Sequence, residues 1–233
     1  MRVLGIIPAR GGSKGILRKN LKILGDKPLI AYSIEHALKS NLLSKVIVST
    51  EDDEIAAIAK LYGAEVPFIR PEFLASDEAS SIEVVKHAID FFELKGEFYD
   101  AICLLQPTSP FRAAGFTDNA IRQFITNNAS ALVSVLEVPH EFNPHWTFES
   151  DNIGLLKIAT GEQEIIKRRQ DLPQAFFRDG SLYLTKTELI KKGTFYGDQL
   201  SSILNNQDLY VNIDTPKDWL IAEEKLPIIS SLL

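Results

Sequence analysis

The chain has 233 residues, 45% of them hydrophobic, a net charge of −6 and a single cysteine. That length buries a full core as one domain, while an acidic balance without a basic tail excludes nonspecific nucleic-acid binding and a lone thiol excludes a disulfide framework. No apolar run reaches the ~18 residues of a membrane span, and no membrane partner is expected.

Val3, Leu4, Ile6 and Ile7 mark a buried first strand over 2–8, which empties into Ala9-Arg10-Gly11-Gly12-Ser13-Lys14-Gly15. The stripe Leu29, Ile30, Ser33, Ile34, Ala37 and Leu38 predicts a helix over 28–39. Lys45–Ser49 reads as a second strand, and 52–62 as a helix whose Asp52, Asp53 and Glu54 favour its positive end. A short third strand is expected over 64–69. Ser80 or Ser81 caps a helix running to about Leu94, and a fourth strand over 101–105 holds Cys103 as a small buried hydrophobe. A helix over 117–126 and a fifth strand over 131–136 follow.

From about Glu137 to Arg178 the periodicity loosens around Pro139, Pro144, Pro173 and the basic run Lys167-Arg168-Arg169. This piece reads as a small excursion, a lid or a dimerisation arm, within one domain spanning 1–233. Gly180–Leu184 and Leu209–Ile213 are strand-like, and a last helix runs from Pro216 to about Leu226. Strands alternating with helices at this spacing give an α/β class: a mainly parallel sheet with helices on both faces. Ligands in such sheets bind beyond the carboxyl ends of strands. The glycine loop, Ser49-Thr50 and Gln106-Pro107-Thr108-Ser109-Pro110 all follow strand ends and are expected to converge on one crevice.

Basic residues gather in two stretches, 10–22 and 167–178, as suits a small anionic ligand. In the first, three glycines let backbone N–H groups turn toward one point, the kind of nest that holds phosphate. Arg10, Lys14 and Lys19 place charge where a polyphosphate would lie, and the amide of Asn20 suits a base or ribose. The loop is not a Walker A sequence, because no Gly-Lys dipeptide occurs. In Gln106-Pro107-Thr108-Ser109-Pro110 two prolines fix a turn; taken alone it is either a rigid corner or a set of aimed polar groups.

If 211–214 is a strand, Asn212 and Asp214 share one face and offer hard oxygens to Mg²⁺. The alternative makes Asp214 the cap of the following helix, with Pro216 in its first turn. Arg169 and Arg178 carry planar forks suited to a carboxylate, which makes an acidic sugar a candidate, the plain alternative being a solvated face. Arg70-Pro71 with Leu74-Ala75-Ser76-Asp77 lines a base pocket or makes a turn. The four histidines lack metal-ligand spacing, and no G-x-S-x-G elbow is present.

These segments together resemble the acylneuraminate cytidylyltransferases, or CMP–sialic acid synthetases, including members that act on legionaminic and pseudaminic acids. The resemblance rests on Ile7–Gly15 with Lys19-Asn20, Arg70-Pro71 with Leu74–Asp77 and Ser80-Ser81, Leu105–Pro110 with Arg112, Arg169-Gln170-x-Leu172-Pro173, and Ile213-Asp214-Thr215. It implies a Rossmann-like nucleotidyltransferase fold, CTP as co-substrate, Mg²⁺ and a homodimer whose excursion reaches the neighbouring subunit; the cytoplasmic location expected for the chain rests instead on its lone thiol and on a first strand that cannot double as a cleaved signal peptide. By resemblance Ala9, Arg10, Gly11, Ser13, Lys14, Lys19 and Asn20 hold the nucleotide, and Arg70, Ala79 and Ser81 line the cytosine pocket. Gln106, Thr108, Ser109, Arg169 and Arg178 would meet the acidic sugar, and Asp214 with Asn212 the metal. Arg10, Lys14, Gln106 and Asp214 would carry the reaction, which is attack by the anomeric hydroxyl of a nine-carbon 2-keto acid sugar on CTP. Where many sialate members have Asp-x-Asp, this chain has Asn212-Ile213-Asp214. Rival readings are a synthetase for the eight-carbon sugar Kdo and a nucleotide-binding module without catalysis. The Gln-Pro-Thr-Ser-Pro loop favours the sialate branch.

Overall fold

A computed structural model describes residues 1–233. In chain order the strands are β1 (Val3–Pro8), β2 (Ile23–Leu24), β3 (Lys27–Pro28), β4 (Lys45–Ser49), β5 (Ala101–Leu104), β6 (Ala131–Glu137), β7 (Phe148–Ser150), β8 (Leu156–Ile158), β9 (Phe176–Lys186) and β10 (Leu200–Leu204). The helices are α1 (Leu29–Leu38), α2 (Asp53–Leu61), α3 (Ser81–Glu93), α4 (Phe116–Thr126), α5 (Thr187–Lys191) and α6 (Pro216–Ile229). Six strands form one sheet in the order β10-β6-β9-β5-β1-β4, with β9 antiparallel to both of its neighbours and the other pairs parallel.

The alternation of side chains along β1 divides the core between two faces. Val3 and Ile7 pack with Ile30 and Ile34 of α1, Ile55 of α2 and Ile121 of α4. Leu4 and Ile6 face the other way, onto Val85, Ile89 and Phe92 of α3 and Ile190 of α5. Burying each such Leu or Ile contributes about 2 kcal/mol. Cys103 lies in the first cluster, and burial pushes its thiol up to about 12, which makes it a packing residue. The chain leaves β1 over one face, through α1, and reaches β5 over the other, through α3. That reversal opens a crevice at the carboxyl ends of β1 and β5.

The mainly parallel α/β sheet expected from the order of elements is present, with four local differences. Residues 64–69 do not form a strand. Glu65 alone bridges Ile47, through Val48 N–H to Glu65 O (2.8 Å) and Glu65 N–H to Val46 O (3.2 Å), and Pro67, which lacks a donor, ends the pairing. Residues 209–213 also lie outside the sheet. Leu209, Val211 and Ile213 alternate like a strand, but they are buried against Trp219 and Ala222 of α6. The strand expected at 180–184 extends over Phe176–Lys186, and the edge strand β10 and helix α5 had no clear sequence signal. In β10, Leu200 and Leu204 are exposed, so its apolar pattern does not mark a core strand.

The excursion expected over 137–178 is shorter by the residues that pair at its ends, Glu137 with Phe176 and Val135 with Arg178: residues 138–175 leave the sheet, as short 3₁₀ turns and the hairpin β7–β8, before β9 re-enters it. Because β9 runs antiparallel, its first residues arrive at the carboxyl ends of β5 and β6, beside the crevice.

Candidate active site

The crevice is a two-lobed cleft. The larger lobe, about 550 Å³, lies between the glycine loop, the 70–84 segment, the Gln106 turn and Asn212–Asp214. The smaller, about 220 Å³, is walled by Arg178, Asp179, Gly180, Tyr183 and Tyr210. Gln106 and Asn212 line both lobes.

Most residues singled out from the sequence meet in the larger lobe: Arg10, Ser13, Lys14, Lys19, Asn20, Arg70, Ala79, Ser81, Gln106, Thr108, Asn212 and Asp214. Arg178 stands in the smaller lobe, where its Nη1 donates to Tyr196 Oη (3.2 Å). Three others stand behind the cleft wall. The Ala9 carbonyl accepts from Arg70 (3.3 Å), Gly11 gives its N–H to Glu51 Oε1 (2.7 Å), and Ser109 is buried with its Oγ donating to Asp179 O (3.3 Å). Arg169 lies elsewhere, in a cavity of about 480 Å³ within the excursion, shared with His140, Asn143 and Gln174. Within this chain Arg169 and Arg178 therefore do not share a site.

The phosphate-type loop is tied down from several sides. Asn20 Nδ2 donates to Arg10 O (3.0 Å). Glu51, which follows β4, takes the Gly11 N–H with one oxygen and Arg70 Nη2 (2.6 Å) with the other. Arg70 is almost fully buried, and burial lowers its pKa against the opposing pull of Glu51. Arg18, at φ 52°, forks onto Asp52 and reaches Glu54 (2.6 Å). Asp52 also caps α2, accepting from Glu54 N–H and Ile55 N–H (both 3.0 Å). Asp52 was read from sequence only as an acidic residue near a helix start and Glu51 was not singled out, yet both hold the loop's shape.

Asp77 bridges the two loop cations. Its Oδ1 is 2.9 Å from Arg10 and its Oδ2 2.6 Å from Lys14. Lys14 and then Arg10 hold its carboxyl below the usual range. Arg10 also donates to Ser76 O (3.1 Å). Ser80 caps α3 in a capping box with Glu83, which leaves Ser81 in the first turn facing the lobe.

Asp214 is not a helix cap. Thr215 caps α6, in a capping box with Asp218, and Pro216 occupies the first turn. The Asp214 carboxylate instead takes Lys19 Nζ on Oδ1 (2.9 Å) and Asn212 Nδ2 on Oδ2 (2.8 Å), with Lys19 also donating to Ile213 O (2.7 Å). Asn212 and Asp214 thus meet without the strand that sequence reasoning supposed. The side chain of Asp214 remains 58% exposed to the cleft.

The Gln106 turn rests on Arg112, which is 1% exposed. Its Nη2 donates to Gln106 O (2.9 Å) and to Ser181 O (2.8 Å), its Nε to Ser181 O (2.9 Å), and its Nη1 to Ser33 Oγ (3.0 Å). Burial brings its pKa down to about 10, with Asp179 acting in the opposite sense. Burial raises the pKa of Tyr183 and Tyr210, so both enter the smaller lobe as neutral phenols able to donate hydrogen bonds. A cation-lined lobe for phosphates, opening past an amide onto a lobe with one arginine and two phenols, can hold two anionic partners end to end.

Comparison with known proteins agrees with that geometry. The sequence profile of the family described as "Cytidylyltransferase" matches residues 4–218. The chain is 35% identical over 231 residues to the CMP-N,N'-diacetyllegionaminic acid synthase of Legionella pneumophila, covering 98% of this chain and 97% of that one. It is 34% identical over 224 residues to the pseudaminic acid cytidylyltransferase of Campylobacter jejuni, covering 96% and 95%. Among solved structures, CMP:2-keto-3-deoxy-manno-octonic acid synthetase complexed with CTP superposes with a TM-score of 0.70, covering 100% of both chains at 14% identity, a likeness of fold. The chain belongs to the cytidylyltransferase family and is a nucleotidyltransferase that draws on CTP.

Proposed function

We propose that the enzyme activates a sialic-acid-type sugar, joining CTP and a nonulosonic acid into a CMP-sugar with release of pyrophosphate. The observation that carries this reading is the sharing of Gln106 and Asn212 by the two lobes, which sets a polyphosphate-sized space against one suited to an acidic sugar. The named activities of the legionaminic, pseudaminic and N-acylneuraminate relatives support it.

The sugar's anomeric oxygen forms a bond to the α-phosphorus and loses its proton to solvent water, while the bond from that phosphorus to the bridging oxygen breaks and pyrophosphate departs with the electron pair. Two anions must be held in line while charge builds on the leaving group, so positioning and electrostatic stabilisation carry most of the catalysis. Arg10 and Lys14, with Ser13, hold the phosphates. Lys19 and Asn20 brace the nucleotide side, while Arg70, Ala79 and Ser81 line the end of the lobe assigned to cytosine. Gln106 orients the attacking hydroxyl, and Arg178 takes the sugar carboxylate.

Asp214 fits Mg²⁺. It is an exposed carboxylate facing the phosphate space, and Mg²⁺ is commonly held by one or two carboxylates together with substrate phosphates. The neutral Asn212 oxygen is a second donor. When bound, the ion adds positive charge beside the departing pyrophosphate.

The excursion serves as a dimerisation arm. It exposes Phe142, Phe148, Ile153, Leu155 and Leu156, an apolar surface of the kind that a second copy covers. Arg169, remote from its own cleft, then serves the neighbouring subunit. No helix is long and apolar enough to cross a membrane; a cytoplasmic location is part of this proposal, and the use of CTP is compatible with it.

The test is pyrophosphate release from CTP and Mg²⁺ with N-acetylneuraminic, legionaminic, pseudaminic and Kdo sugars side by side. Turnover with a nine-carbon sugar, with Kdo inert, is expected. Preference for Kdo, or CTP binding without turnover of any sugar, would overturn the reading.

A further inference from the structure

Where β6 and β9 pair, the register breaks. Val133 faces Tyr183 and Val135 faces Arg178, so β9 runs from 178 to 183 while β6 advances from 133 to 135. Residues 179–182 are looped out of the ladder at the edge of the smaller lobe. Bulges of this kind re-aim side chains beside active sites.

This bulge is built around a buried carboxylate. Asp179 is 2% exposed. Its Oδ1 accepts from Ser134 Oγ and from Ser181 N–H (3.0 Å), and its Oδ2 from Ser181 Oγ (2.9 Å) and Asn205 Nδ2. Ser134 closes the ring by accepting from Leu182 N–H (2.8 Å), and Asn205 Nδ2 also reaches Ser181 Oγ (3.1 Å). A carboxyl group is costly to bury, and here donors on both oxygens offset that cost. Beside the bulge, the buried guanidinium of Arg112 binds Ser181 O and Gln106 O together.

The network ends on the cleft. Gly180 sits at φ +82°, and a Cβ there would lie 3.1 Å from Ser109 Oγ and 3.4 Å from Gln106 Oε1. The Gln106 turn therefore packs against the bulge at Gly180 and is held by Arg112 through the Gln106 carbonyl. Arg112 entered the sequence reading only as the end of the Gln106 motif, without a role, and Asp179 did not stand out at all.

We propose that Asp179 is a positioning residue of the smaller lobe: with Ser134, Ser181 and Asn205 it locks the bulge that presents Arg178 and Gly180, and with Arg112 it fixes Gln106 for an acidic sugar. The assignment to the sugar rests on the function proposed above. It predicts a split between the two substrates, because the phosphate-side residues are braced by Glu51 and Asp52 and not by this network.

The experiment uses Asp179→Asn and the milder Asn205→Ala, with CTP and sugar varied separately and CTP affinity measured by calorimetry without sugar. The sugar KM is expected to rise by about tenfold or more in Asp179→Asn and by less in Asn205→Ala, with CTP affinity held within about twofold. Should Asp179→Asn fail to fold, Asn205→Ala carries the same comparison. Equal weakening toward both substrates, or a lower melting temperature with unchanged kinetics, would overturn the proposal. Crystal structures of the variants decide independently of turnover: Gly180 and Gln106 should shift while the flanking β6–β9 pairing persists. If both stay in place, the inference fails whatever sugar the enzyme uses, and if they shift while no sugar reacts, it is the sugar reading that fails.

Discussion

Gly15 lies directly on the backbone carbonyl of Asp214, so close that a Cβ at position 15 would overlap that oxygen. The loop that carries Arg10 and Lys14 is thereby set against the carboxylate assigned to Mg²⁺, and the third glycine is required for close approach. Gly15→Ala is expected to push the two apart and lower kcat/KM by about a hundredfold, since displacements near 1 Å cost that much. Steady-state kinetics with a thermal melt as control checks this; an intact rate would mean the contact is incidental.

Asp214→Ala should abolish turnover at any Mg²⁺ concentration while leaving the fold intact, because Thr215 and Asp218, not Asp214, cap α6. Near-wild-type rates at saturating Mg²⁺ would refute the metal assignment. The same variant frees Lys19, so calorimetric titration of CTP without metal separates loss of the ion from rearrangement of the loop.

Asp77 occupies both cations that a triphosphate needs. Removing its charge with Asp77→Asn is expected to tighten CTP binding by about threefold, the scale of an exposed ion pair. The gain should shrink as salt rises. Weaker binding would show instead that Asp77 holds Arg10 and Lys14 in their working positions.

Glu51→Ala removes the partner of buried Arg70 and the acceptor of the Gly11 N–H at once. Breaking such a pair from one side costs about 3 kcal/mol. Denaturant unfolding should register that loss, together with weaker CTP binding. Glu51→Gln, which keeps an acceptor, should recover part of both.

His36 is partly buried, with its Nε2 2.8 Å from Thr117 Oγ1, and desolvation of the ring, aided by the charge of Arg112, brings its pKa from 6.5 down to about 3. Between those values the unfolded chain binds a proton that the folded chain refuses, so acidification favours unfolding and stability rises with pH. The expected slope is about 1.4 kcal/mol per pH unit below the unfolded pKa. His36→Gln should flatten the dependence measured by denaturant unfolding between pH 6 and 4; an unchanged slope would place its origin in other groups.

Local order was legible where a periodic pattern and its burial coincide. The first strand, the helices α1 to α4 and the glycine loop with its cations were all readable, because side-chain period, capping residues and charge are properties of neighbouring residues. The pattern at 209–213 misled because alternation reports burial on one side and does not say whether a strand or a helix supplies it; here α6 does. Residues 64–69 misled for a related reason, since a ladder needs a donor that Pro67 lacks.

What the sequence determined by itself was the α/β order, the phosphate-type loop and the family-like motifs at strand ends. Only the tertiary structure decided which of these residues face one another. It seated Gly11 and Ser109 behind the wall, put Arg169 in a separate cavity, and drew Glu51, Asp77, Arg112 and Asp179 into the site's support. The physical reason is distance along the chain. Asp179 meets Ser134 and Asn205, and Lys19 meets Asp214, across separations that no local pattern encodes, so these contacts exist only once the antiparallel β9 and the 205–214 segment have closed over the parallel sheet.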